Sequence, residues 1–262
     1  MDDVERQKEH FDNIASEYHS FMQNATHAYY FDKTWEILLR KVTLPTEKKV
    51  DFLEAMCGSA DTITRFQRFN FTEISYNAFD YSPKMVAFAK EKHSNCRIWE
   101  QDVTTFCEPN AYDIIVIMAG LHHVNKHTER VLSNISASLK PGGLFFSCEP
   151  THCNRIFGKV RDYLYKKSAT FDCESEKDFS VSELNALASK NQLVAEYQIY
   201  PGLLAYVLVV IPLIFPRIGT GSKKTVGFFM RKLIDIESYF WGTFIARYFS
   251  FGTFTCFKKI IS

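Results

Sequence analysis

The sequence predicts an α/β protein: a doubly wound, mostly parallel sheet of seven strands, with an amino-terminal helical lid and an apolar helical insertion between the last two strands. Two observations carry this. Between residues 50 and 148, short apolar runs alternate with stretches of helical periodicity, the pattern of parallel strands covered on both faces. Polar residues cluster directly after those runs, at 54–58, 80, 102 and 119–123, and ligands in doubly wound sheets bind beyond the strand ends.

The first element is a helix over 3–22, because Phe11, Ile14, Ala15, Tyr18, Phe21 and Met22 recur at spacings that share one helical face. A second helix is expected over 30–40, and Pro45 breaks the chain before the first strand. Strands are expected at 50–53, 74–79, 97–100, 113–118 and 144–148, with helices at 61–69, 83–93 and 127–139 between them. Pro141-Gly142-Gly143 reads as a turn into the fifth strand. Later, Ser180 opens a helix over 181–190, and strands are expected at 193–200 and 252–260. The expected division is a lid (1–45), a core (46–201), a hydrophobic and basic cap (202–250) and a final strand (251–262).

Composition narrows the class. A chain of 262 residues with 46% apolar and 23% charged residues buries a large core, which excludes a disordered protein. Seven cysteines, an odd number without a C-x-x-C pair, and the charged opening "MDDVERQKEH" predict a reduced, cytoplasmic setting. The net charge of +1 hides an asymmetry, since residues 202–262 hold eight Lys/Arg against two Asp/Glu while the rest is acidic. That tail also holds thirteen of the forty aromatic residues, a balance that favours a membrane surface over nucleic acid as a partner.

The loop "LEAMCGSADT" (53–62) keeps a single glycine. A dinucleotide site needs three, so that a pyrophosphate can approach the backbone amides, and here Met56 and Ala60 stand in two of those places. A ligand without phosphate needs less room, and Gly58 supplies one flexible position.

In order and spacing, "VDFLEAMCGSADT", "AFDYSPKMV", "EQDVTTF", "YDIIVIMAGLHHV" and "LKPGGLFFSCEP" resemble the motif series of class I S-adenosylmethionine-dependent methyltransferases over residues 48–150. "FDNIASEYHSF" (11–21) is similar to the amino-terminal helix of the branch that holds ubiquinone, menaquinone and natural-product methyltransferases. The resemblance implies a Rossmann-like core with S-adenosyl-L-methionine as cofactor. It places Glu54 near the methionine amino group, Gly58 in the loop beneath the cofactor, and Asp80 on the ribose hydroxyls. Tyr81, Ser82 and Met85 would flank the adenosine, Asp102 and Val103 would meet the adenine, and Met118 and Ala119 would line the cofactor. Tyr18 would close over the methionine end. Asp80 and Asp102 also suit a purely local role, capping a helix and a turn.

His122 and His123 lie just beyond the fourth strand, where cofactor and acceptor should meet. They are the catalytic candidates, as a general base or an acceptor-orienting group; a hydrogen-bonded pocket wall is the other reading. His123 and His127, or the "CEPTHC" run with Cys148, Glu149, His152 and Cys153, lack a second cluster at zinc-like spacing, so no metal site is expected, and Glu149 reads instead as an acceptor-pocket residue.

Residues 203–216 are nearly pure hydrocarbon and aromatic surface, yet too short to span a bilayer. After them, Val226, Phe229, Met230, Leu233, Phe240 and Phe244 are expected on one helical face, with Lys223, Lys224, Arg231, Lys232 and Arg247 free to meet headgroups. Two readings stand side by side: a lid buried on the sheet, or a peripheral membrane contact through 203–249 that admits a lipophilic acceptor. The expected activity is methyl transfer to a hydrophobic or lipid-like small molecule at a membrane. The alternatives are the same fold acting on a soluble metabolite or by other chemistry, and a catalytically silent membrane adaptor.

Overall fold

The computed structural model describes residues 3–22, 24–154, 159, 179–214 and 223–260. In chain order the elements are α1 (Asp3–Met22), α2 (Ala25–Leu39), β1 (Lys49–Ala55), α3 (Ile63–Phe66), β2 (Glu73–Asp80), α4 (Pro83–Lys92), β3 (Arg97–Glu100) and β4 (Tyr112–Met118). Next come a 3-10 turn (Leu121–His127), α5 (Thr128–Ser138), β5 (Leu139–His152), β6 (Phe179–Ser180), α6 (Val181–Lys190) and β7 (Leu193–Ile199). The chain then forms α7 (Leu204–Ile214), α8 (Lys223–Ser238), α9 (Phe244–Phe249) and β8 (Gly252–Lys259).

The main path of the sheet runs β3-β2-β1-β4-β5-β8-β7, and the two-residue β6 adds an eighth strand beside β5. Only β8 runs against its neighbours on that path. Between β1 and β4 the strand order reverses, and this opens a crevice at their carboxyl ends. Side chains that alternate along each strand build a core on both faces. Phe52 and Phe146 pack on one face with Trp35, Phe66 and Phe254; Leu53 and Phe145 pack on the other with Phe79, Ile115 and Phe257.

Several boundaries differ from the sequence reading, each for a local reason. The second helix starts at Ala25, five residues early, because Asn24 Oδ1 accepts the Thr26 and His27 N–H groups. The helix expected over 61–69 contracts to Ile63–Phe66. β5 extends from Leu139 to His152 and absorbs Pro141-Gly142-Gly143, which makes a register shift against β4 instead of a free turn. Ser180 does open α6, with a full capping box to Glu183.

The insertion is anchored on α2. Tyr29 donates to Asp235 Oδ1 at 2.7 Å, Tyr30 donates to the Pro201 carbonyl at 2.8 Å, and the fully buried Trp241 meets Tyr30 edge-on at 5.7 Å. The single apolar face expected there is divided. Met230 and Leu233 pack against the core beside the buried Ile234, whereas Phe229, Phe240 and Phe244 are exposed. α8 ends at Ser238, so Phe240 and Phe244 no longer continue its face. The side chains of Lys223, Lys224 and Val226 lie outside the described residues.

Candidate functional site

The loop after β1 solves the glycine problem by backbone geometry. Met56, Gly58 and Ala60 all adopt left-handed backbone, with φ of 53°, 52° and 55°. The positions where a dinucleotide loop would hold glycine therefore keep a glycine-like conformation without the glycines, at a strain cost of about 1–2 kcal/mol for each L residue. A Cβ on Gly58 would meet no atom within 4 Å, so this glycine is demanded by its φ and opens onto free space.

That space is a cleft open to solvent, about 710 Å³ of empty space when its open mouth is included. Its walls take in Gly58, Asp80, Tyr81, Ser82, Met85, Asp102, Val103, Met118 and Ala119, nine of the residues expected to hold a cofactor. Asp80 sits at the end of β2, where its Oδ2 accepts the Gly58 N–H at 2.8 Å and its Oδ1 accepts the Ser82 N–H at 2.9 Å. Burial pushes its pKa up, opposed by those backbone donors. Asp102 accepts the Thr104 N–H at 2.7 Å and the Thr104 hydroxyl at 2.8 Å, which fixes its carboxylate at the rim. Both carboxylates thus cap local backbone and face the cavity at once. Each oxygen has about two acceptor positions, so capacity for a ligand hydroxyl or amine remains.

Glu54 lies in a smaller adjoining cavity, bounded also by Asp61, Thr62 and Arg65. Met56, Gly58 and Met118 line both spaces. Glu54 is buried and accepts the Tyr76 hydroxyl at 2.8 Å and the Thr62 N–H at 3.3 Å, and burial raises its pKa. The three carboxylates therefore do not share one chamber: Asp80 and Asp102 line the larger, Glu54 the smaller.

The two histidines separate. His123 lines the large cavity and packs edge-on against Phe11 of α1 at 4.9 Å. His122 does not line it. Its Nδ1 lies 2.9 Å from Glu149 Oε2. Glu149, read from the sequence as an acceptor-pocket residue, is a buried cap beneath the 3-10 turn. Its Oε1 accepts the Gly120 and Leu121 N–H groups at 3.1 and 2.9 Å, and its Oε2 accepts that of His122 at 3.3 Å. Burial lifts the Glu149 pKa to about 7, against the pull of those donors and of His123.

α1 closes one side with Val4, Gln7, Lys8 and Phe11. Lys8 pairs with Glu100 at 2.7 Å, Tyr81 donates to Glu5 at 2.8 Å, and the Ser82 hydroxyl donates to Asp12. Val4, Lys8 and Phe11 fall on one helical face, a signal present in the sequence, but only the docked helix shows that this face meets the cavity. The Tyr18 side chain lies outside the described residues. Gly120 gives no such signal in the sequence: a Cβ there would stand 2.8 Å from Ile117 and from Met56, so the wall of the cavity closes only over a glycine. Among the described residues no three His, Cys, Asp or Glu side chains come together as a metal site.

Residues 52–143 match the family of methyltransferase domains. The methyltransferase match runs from β1 into β5 and contains every cofactor candidate except Tyr18. No curated protein sequence matches the chain. Solved structures share the Rossmann-like fold at low identity. A chain of the complex between the Haloferax volcanii methyltransferase activator and its methyltransferase aligns with TM-score 0.63 at 15% identity, over 96% of this chain and 98% of its own. A cyclopropane synthase from Mycobacterium tuberculosis aligns with TM-score 0.60 at 14% identity, over 86% and 83%. A protein described as a sarcosine dimethylglycine methyltransferase from Galdieria sulphuraria aligns with TM-score 0.59 at 15% identity, over 88% and 85%.

The methyltransferase match implies S-adenosylmethionine as cofactor, and the residues fit that group. Asp80 and Asp102 supply acceptors for hydroxyl and amine donors, Met85 and Val103 supply apolar wall, and Gly58 leaves the loop open. No described helix is long and apolar enough to cross a membrane.

Proposed function

We propose that this chain is an S-adenosylmethionine-dependent methyltransferase whose acceptor is a hydrophobic or lipid-like small molecule. The observation that carries the reading is a single cavity with carboxylates Asp80 and Asp102 on its walls, His123 also on its wall, and an apolar lining of Phe11, Met56, Met85, Val103 and Met118. The bound cofactor would supply a methyl group on a sulfonium, an already good leaving group. The protein is left with positioning and the exclusion of water. Asp80 and Asp102 hold the nucleoside end; Glu54, in the adjoining cavity, is placed for an ammonium. α1 shields one side of the cavity from solvent. His123 is placed to orient an acceptor or to take a proton from it.

Incubation with S-adenosylmethionine and a lipid extract, with detection of S-adenosylhomocysteine and mass analysis of the extract, tests the reading. A mass gain of one methyl group in an extractable lipid supports it; turnover confined to the aqueous fraction removes the lipophilic acceptor. One structural neighbour is named as a cyclopropane synthase, so the product must be identified as well as the spent cofactor. Asp80→Ala is expected to weaken cofactor binding by about 10- to 100-fold in calorimetry, the worth of hydrogen bonds to a charged group. A protein that binds no cofactor even before this change is the silent adaptor instead.

A further inference from the structure

The insertion holds two acidic residues, Asp235 and Glu237, and both are engaged, Asp235 by α2 of the body and Glu237 by α7 within the insertion. Asp235 accepts from Tyr29 at 2.7 Å, and Glu237 accepts the Ala205 N–H with both oxygens, at 3.0 and 3.1 Å. The other side of α8 keeps helical spacing through Phe229, Lys232 and Ile236, all exposed, and Tyr239 just past its end is exposed as well. Phe228 and Phe229 are 60% and 66% exposed and Tyr239 is 85% exposed. α9 buries only Ala246 and exposes Phe244 (78%), Ile245, Arg247, Tyr248 and Phe249. Lys232 lies over the Phe228 ring at 5.9 Å, which keeps a cation among the aromatic rings. The outward surface of this segment is therefore aromatic and cationic, without a free carboxylate.

We propose that the exposed sides of α8 and α9 dock the protein on an anionic lipid bilayer. Charge complementarity selects this occupant. The aromatic rings suit the headgroup level, Lys232 and Arg247 suit lipid phosphates and carboxylates, and Arg231, exposed but lying over the Tyr29 ring of α2 at 5.1 Å, adds a cation at the edge of this surface. A second copy of the chain is a poor fit: a two-fold contact would set these three cations against their own equivalents with no acid between them. The contact involves none of the cavity residues and needs no methyl donor, so it stands or falls separately from the reaction.

The test is co-sedimentation of the full chain with phosphatidylcholine vesicles and with mixed phosphatidylcholine–phosphatidylserine vesicles, in the absence of S-adenosylmethionine. The wild type should pellet with the anionic vesicles and bind the neutral ones at least tenfold more weakly. Each basic side chain near such a surface is worth roughly fivefold, so Arg231→Glu/Lys232→Glu/Arg247→Glu should lose about 100-fold or more. Phe244→Ser/Ile245→Ser, at exposed positions, should lose at least tenfold with an unchanged melting temperature. Three results would overturn the proposal: wild-type protein left in the supernatant, both variants binding as wild type, or a solution dimer that the Phe244→Ser/Ile245→Ser variant dissociates.

Discussion

His123 and His122 are adjacent, yet the chain gives them different work. His123 faces the cavity, and His122 is turned onto Glu149, the buried cap of the turn that carries both. If His123 acts as a general base, His123→Ala lowers kcat by about 100-fold or more with little change in cofactor affinity; a fall below tenfold reduces it to a wall. His122→Ala should act chiefly on stability. Glu149 makes a pH prediction. Its pKa rises from 4.5 to about 7 on folding, so the native state binds more protons between those values. Stability therefore falls as pH rises through that window, and Glu54 and Asp80, also raised, add the same sign. Melting temperatures measured across the window should show a shallower slope for Glu149→Gln. Gly58→Ala is expected to cost about 1–2 kcal/mol by denaturant titration, because only the backbone conformation resists the change.

Among the elements, the insertion is the one whose role depends on how firmly it is held. Trp241 is fully buried between the insertion and Tyr30 of α2, so Trp241→Ala should destabilise the protein by about 3–5 kcal/mol in chemical denaturation. A cost below about 1 kcal/mol would mean that the insertion is not an integral part of the core. This anchoring also revises the two sequence readings of the segment. One side of α8 is buried, as a lid would be, while Phe228, Phe229 and Tyr239 remain outside. α1 is held differently, by Lys8–Glu100, Glu5–Tyr81 and Asp12–Ser82. Two of those polar contacts end on Tyr81 and Ser82, which line the cavity.

At the scale of the whole molecule, the cavity sits where the strand order reverses, between two sheet faces that carry separate cores. A ligand bound there touches α1 and the loops after β1, β2, β3 and β4, and so stabilises the molecule as a unit. At a hundredfold excess over Kd, S-adenosylmethionine should add about 2.7 kcal/mol, read as a rise in Tm of several degrees. In Asp80→Ala, with affinity 10- to 100-fold weaker, the same concentration should add only about 0.4–1.4 kcal/mol.

Local periodicity by itself determined the doubly wound class, most of the strand and helix succession, and the placement of Asp80, Asp102 and Ala119 beside the crevice, because a strand's end fixes where its next residues lie. It also marked Ser180 as a cap, since a capping box is written in four consecutive residues. Only the tertiary structure decided which histidine faces the cavity, that Glu149 is a cap, that Gly120 admits no side chain, and which aromatic residues of the insertion stay outside. Each of these depends on groups brought together from distant parts of the chain, as Glu149 on β5 reaches back to the turn at Gly120 and Tyr29 on α2 reaches across to Asp235. Periodicity names a face; only packing says what that face meets.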